Sequence, residues 1–188
     1  PFVTSSNTTS GGCCTGSGLP PTAIDQVIGV CKAYTTRVGS GPFPTADDEL
    51  AGFLHNLGRE FGATTGRARG CGWLDIVLLR QGCMVNGTTG LAVTNLDGLD
   101  HCETIKIGVA YDIDGSRHEL APADRHAWDR AQPIYEEMPG WQSDTSQCQS
   151  YDDLPENAQA YLQRLADLCE TPIQFVGVGP DRTQTLVR

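Results

Sequence analysis

A chain of 188 residues with 39% apolar side chains can build one domain around a real core, and no run reaches the ~20 apolar residues needed to cross a membrane. The formal charge of −10 argues against nonspecific nucleic-acid binding, which needs a basic face, but leaves room for small anionic ligands where the few basic residues cluster. Eight cysteines without a C-x-x-C pair fit neither a zinc site nor a compact disulfide scaffold, so reduced thiols in a cytoplasmic protein are the expectation.

Residues 1–12 are polar and glycine-rich, without the basic and apolar stretches of a signal peptide. A start at Pro1-Phe2-Val3-Thr4 reads as a strand end cut from a longer protein. The hydroxyl and amide run from Thr4 to Thr9 can cradle a phosphate, or be a disordered terminus. Thr22 and Asp25 predict a helix start whose apolar face holds Ile24, Val27, Ile28 and Cys31. Ala33 to Val38 predicts a short strand, ended by the Gly- and Pro-rich residues 39–44. Thr45 and Asp48 repeat the capping pattern. Leu50, Phe53, Leu54, Leu57 and Phe61 then predict an amphipathic helix over 47–60.

Further along, Trp73 to Met84 predicts a second helix, Leu91 to Val93 a short buried strand, and Ile105 to Ile113 another strand. Residues 115–153 read as polar and irregular, with a loop at 138–141. Pro155 suits a first helical turn, and Ala158, Tyr161, Leu162, Leu165 and Leu168 mark that helix. Pro172 to Val178 predicts a final strand. Helices alternating with short buried strands predict an α/β fold with a largely parallel sheet and flanking helices. In such sheets ligands bind at the carboxyl ends of strands, where the loops after Val93 and Val178 lie.

Three places carry candidate chemistry. The first is the loop from Gly58 to Trp73, where Thr64, Thr65 and Gly66 lead into Arg67 and Arg69. Guanidinium forks match carboxylates or phosphates, and hydroxyls and backbone N–H groups can fill the remaining acceptor sites. The bland alternative is a solvated loop with two surface arginines. The second is Asp97, at a strand-to-loop turn. A carboxylate there can accept two parallel hydrogen bonds from guanine, whose ring N–H and amino group adenine lacks in that arrangement; a turn or capping role is the alternative. The third is Gly177-Val178-Gly179-Pro180-Asp181, which can clamp a planar base or simply turn the chain. There is no G-x-x-x-x-G-K-[ST] loop, and the four histidines lack metal or triad spacing.

In order, these segments resemble the adenylosuccinate synthetase family nearly end to end. Residues 1–9 are similar to its P-[YF]-V-T-S-S-N-T-T, residues 32–45 to K-A-Y-x-T-R-V-G-x-G-P-F-P-T, and the arginine loop to G-R-E-F-G-x-T-T-G-R-x-R-x-x-G-W-L-D. Pro139-Gly140-Trp141, Leu154 to Ala158 and Val178 to Arg182 follow in the family's order. The resemblance implies a C-terminal portion of a P-loop-NTPase-like adenylosuccinate synthetase fold. It implies a GTP-dependent ligase of AMP biosynthesis that joins L-aspartate to IMP with magnesium, as a homodimer in the cytoplasm. Phosphate loop, catalytic groups and most magnesium contacts would lie outside this chain, which would then be inactive alone.

By the same resemblance, Thr64, Thr65, Arg67 and Arg69 contact aspartate, Arg67 also reaches the IMP ribose, Thr4 touches the IMP phosphate, and the Val38 backbone touches the ribose. Arg69, Asn95, Asp97, Gly177, Gly179 and Pro180 serve GTP. Three positions depart from the family: Asn95 stands where a lysine covers the purine face, Gly177 where a serine is frequent, and Gly70 where a third arginine is common. A relative acting on another purine monophosphate, or a catalytically dead nucleotide-binding or dimerisation protein, are the alternatives.

Overall fold

The computed structural model describes residues 7–188. Its first element is α1 (Ser10–Ser17), capped by Thr9, whose side chain accepts from the Gly12 N–H. No residue of α1 is buried, which is why no apolar stripe marked this helix in the sequence. The helix expected from Thr22 is not formed. Pro21–Ala23 makes one 3-10 turn, and Ile28–Lys32 is a strand, β1. The spacing of Ile24, Val27, Ile28 and Cys31 suits a helix. Parallel pairing with Gly90–Thr94 (β5) overrides it, in a segment holding Gly29 and two β-branched residues.

β2 (Thr35–Arg37) pairs antiparallel with β3 (Gly70–Gly72), so the strand expected over 33–38 is shorter, and Ala33 and Tyr34 are buried ahead of it. Between them, α2 (Asp48–Asn56) is capped by Asp47 rather than Thr45. The Asp47 carboxylate accepts from Leu50 N–H at 2.8 Å and from the Trp73 indole at 2.8 Å. Asp48 and Glu49 add negative charge at the positive end of the helix.

Trp73 precedes the second expected helix rather than opening it. Leu74–Asp75 is β4, and α3 runs Ile76–Asn86 with Asp75 as its N-cap and Gly87 (φ 60) as its left-handed C-cap. After β5 comes β6 (Thr104–Ile113), which pairs parallel with β4 and antiparallel with β7 (Ser116–His118) and β8 (Gln132–Pro139). The stretch expected to be irregular over 115–153 thus holds α4 (Arg125–Trp128) and a full eight-residue strand, and Met138-Pro139 is strand, not loop. Two prolines and paired glutamates hid β8. Glu136 is bound by Arg164 at 2.7 and 2.8 Å, so its charge lies in an ion pair and not in a loop.

α5 (Glu156–Cys169) follows Pro155 and buries Ala158, Tyr161, Leu162 and Leu165. β9 (Ile173–Gly177) and β10 (Thr185–Val187) close the chain, and the first sheet is ordered β1-β5-β9-β10. The α/β class holds, but the sheets are mixed rather than largely parallel, because the hairpin strands β2, β3, β7, β8 and β10 all pair antiparallel. β1, β5 and β9 are the parallel run, and β10 joins antiparallel. Tyr161 Oη donates to Ala33 C=O at 2.6 Å and ties α5 to the chain leaving β1. This layout matters for the site: β1, β5 and β9 end side by side at Lys32, Thr94 and Gly177.

Gly72 is the tightest point in the exit from the arginine loop. A Cβ there would lie 2.0 Å from the Thr45 carbonyl oxygen. That neighbour is backbone, pinned by the Trp73 N–H at 3.0 Å. Gly72→Ala is therefore expected to cost about 3 kcal/mol or more, read as a lowered midpoint in thermal unfolding.

Candidate functional site

The carboxyl ends of the three parallel strands open onto a cleft of about 740 Å³. Lys32, Arg69, Asn95, Asp97, Gly177, Gly179 and Pro180 line it, with Arg59, Glu60 and Asp181 among the others. All six residues expected to serve GTP are thus brought to one cavity. Two sequence-distant loops, after β5 and after β9, supply five of them.

Asp97 lies in the turn after β5, where Asn95 takes a left-handed backbone (φ 59) to start a short 3-10 turn over Leu96–Leu99. The Asp97 side chain is only 6% exposed. Its Oδ2 accepts from the Arg59 guanidinium. Its Oδ1 is buried with no hydrogen-bond partner among the described residues. Leaving a buried carboxylate oxygen unpaired costs about 1–3 kcal/mol or more, so this orphan, on a residue that lines the cleft, calls for an explanation.

Beside it sits a second buried acid that sequence reasoning assigned no role. Glu60 has a left-handed backbone (φ 61) and a side chain 2% exposed. It accepts from Lys32 Nζ at 2.7 Å, Tyr34 Oη at 2.8 Å and Arg69 Nη1 at 3.1 Å. Burial pushes its carboxyl up, but the hydrogen bonds from Lys32, Tyr34 and Arg69 outweigh this and hold it below its ordinary value. Burial, then the Glu60 bond, push the Tyr34 hydroxyl up, so it stays a donor. Asn95 Nδ2 approaches Tyr34 Oη at 3.5 Å, which joins the turn after β5 to this network.

The arginine loop is a closed hairpin. Phe61 bridges Ala68, Gly62 N–H donates to Arg67 C=O at 2.8 Å, and Arg69 N–H donates to Glu60 C=O at 2.9 Å. Gly66 (φ 65) makes the reversal. Thr64, Thr65 and Arg67 stand exposed at its tip. Arg69, at its base, is turned by Glu60 into the cleft, so of the four residues expected to hold aspartate it is the one that also lines the strand-end cleft. Arg37 pairs with Gly70 across β2 and β3, which sets Val38 and Arg69 at the same end of that ladder; Val38 is 63% exposed. Thr4 lies outside the described residues. Of the hydroxyl run, Thr9 is spent on capping α1.

Sequence reasoning missed Arg59, Glu60, Lys32 and Tyr34 as site residues. The available signal was the pairing of one buried acid with several basic side chains, but only tertiary contact reveals which acid that is.

Comparison with known proteins gives this geometry a context. The family profile described as Adenylosuccinate synthetase matches residues 1–186. A curated adenylosuccinate synthetase from Picosynechococcus sp. is 53% identical over 188 residues, covering 100% of this chain and 42% of that protein. One from Schizosaccharomyces japonicus is 52% identical over 189 residues, covering 100% of this chain and 44% of that protein. The chain thus spans less than half the length of the curated relatives it matches. A fully ligated adenylosuccinate synthetase from Plasmodium falciparum has a TM-score of 0.94 at 38% identity, covering 100% of this chain and 46% of that one. A cyanophage S-2L succinoaminodeoxyadenylate synthetase, with a TM-score of 0.55 at 16% identity, shares the fold alone.

Proposed function

The chain belongs to the adenylosuccinate synthetase family, and on that premise we propose that it carries the guanine-reading and aspartate-gripping part of an enzyme that joins L-aspartate to IMP, driven by GTP hydrolysis. The observation that carries this reading is the orphaned Asp97 oxygen in the strand-end cleft. Guanine offers two adjacent N–H donors to a carboxylate. Adenine offers a ring acceptor where the first of those donors would be, so a buried Asp97 rejects it. Gly177 and Gly179-Pro180 form the low wall beside the base. A Cβ at Gly177 would meet Thr94 only at ordinary contact distance, 3.4 Å, so the serine usual in the family fits this backbone.

Lys32 and Arg69 place positive charge at the cleft, suited to the nucleotide and to aspartate. Thr64, Thr65 and Arg67 give the two carboxylates of aspartate hydroxyl and guanidinium donors, with Arg69 shared between substrates. Arg67 and the Val38 backbone serve the IMP ribose, and Thr4 its phosphate. Held this way, the aspartate amine meets the activated purine already oriented, an effect that can supply several kcal/mol (up to ~7–11) of barrier reduction. Magnesium belongs to the family reaction, but no group of three or more His, Cys, Asp or Glu among the described residues could hold a metal ion. A homodimer rests on family membership alone. A cytoplasmic setting is supported by eight free cysteines.

Arg67→Ala tests the aspartate assignment in the active protein that carries this chain. It is expected to raise the KM for aspartate by about tenfold to a hundredfold, the worth of a charge-assisted contact, while GDP affinity stays within about twofold. Equal loss of both would contradict the role given to Arg67. The chain alone is expected to bind GDP without forming adenylosuccinate, and product formation by purified residues 1–188 would contradict that.

A further inference from the structure

We propose that Arg59 is a specificity-determining residue of the nucleobase cleft, competing with the incoming base for one oxygen of Asp97. This rests on the guanine reading of Asp97 given above. Arg59 follows Gly58, whose left-handed backbone (φ 72) reverses the chain after α2. Its Nη2 donates to Asp97 Oδ2, while Oδ1 of the same carboxylate is buried and has no hydrogen-bond partner among the described residues. One oxygen is taken from within the protein and the other is left for a ligand.

The two partners are not equally fixed. The Asp97 side chain is 6% exposed and that of Arg59 30%, so the arginine is the member that can swing aside. Its hydrogen bond to Asp97 raises its pKa further above the ordinary arginine value, so no change of working pH removes the competing charge.

The consequence depends on how many donors a base brings. Guanine presents its ring N–H and its amino group. To use both it must displace Arg59 from Oδ2. Hypoxanthine presents the ring N–H alone. It can bond Oδ1 and leave Arg59 in place. Adenine presents a ring acceptor and is refused with or without Arg59. Arg59 therefore narrows the preference for guanine over hypoxanthine without admitting adenine.

The test is calorimetric titration of GDP, IDP and ADP into the chain and into Arg59→Ala, Arg59→Gln and Asp97→Ala variants, with melting temperatures recorded for each. Removing the competitor should tighten GDP about tenfold and leave IDP within about threefold, the range of one charge-assisted hydrogen bond set against its solvated alternative. Arg59→Gln keeps most of the side-chain length without the charge and decides the matter if Arg59→Ala does not fold. GDP binding by the variants but not by the parent chain also supports the proposal. If GDP binding depends on Asp97 but is unchanged or weakened in both Arg59 variants, this proposal fails and the guanine reading stands. If Asp97→Ala binds GDP as the parent does, if ADP binds as well as GDP, or if none of the proteins binds GDP, the guanine reading fails and this inference with it.

Discussion

Asp97→Asn is expected to lower GDP affinity by about a hundredfold and to shift preference toward a xanthine nucleotide. A carboxylate offers two acceptors to guanine's two donors. An asparagine amide offers one acceptor and one donor, so its N–H₂ would face the guanine amino group donor against donor in a buried place. The loss combines a missing charge-assisted hydrogen bond with an unpaired buried group, about 2–4 kcal/mol together. Xanthine carries an oxygen where guanine has the amino group, and so presents a donor beside an acceptor, the complement of an amide. Competitive titration of GDP against XDP reads both effects. The substitution also removes the charge opposite Arg59, but that guanidinium is partly solvated, so the fold should tolerate it.

Glu60→Ala is expected to lower stability through the loss of a shared acceptor. Glu60 is the shared acceptor for Lys32, Tyr34 and Arg69, and it is nearly inaccessible. Removing it leaves two cations facing each other and a buried hydroxyl without its acceptor. The Tyr34 hydroxyl left without its acceptor costs about 1–3 kcal/mol, and the two partly solvated cations add about 1 kcal/mol, which for a domain of this size lowers the melting temperature by roughly 5–15 °C. The pH dependence has a definite sign. The folded-state pKa of Glu60 lies below its ordinary value near 4.5. Its contribution is therefore complete above that value and is lost as pH falls through the depressed one. Thermal melts of the parent chain between pH 6 and pH 3 should show that loss, and the Glu60→Ala melts should lack this component.

Glu60 also marks the boundary of what the sequence made legible. α2, α3, α5, β5, β6 and β9 announced themselves through apolar periodicity and capping residues. The two strand-end loops that line the cleft followed from the fold class. β8 did not, because its glutamates and prolines carry loop statistics and only the ladder with β6 makes them strand. β1 did not, because its apolar spacing fits a helix until Gly90–Thr94 is placed alongside. Asp97, Gly177 and Gly179 were found as isolated turn residues with ordinary alternatives; that they share one cavity is tertiary information. The ion pairs of Arg59 and Glu60 join residues 38 and up to 28 positions apart, and no local pattern records them. Asp97 Oδ1 is informative for a related reason: an unsatisfied atom is visible only once every neighbour is in place.

The most direct measurement is titration of GDP and ADP into the labelled chain, followed through the backbone amide signals of Asn95, Asp97, Gly177 and Gly179. GDP should shift all four, with a dissociation constant at least about thirtyfold below that of ADP. Equal affinity for the two nucleotides, or GDP binding that leaves these four amides unmoved, would contradict the assignment of this cleft to guanine.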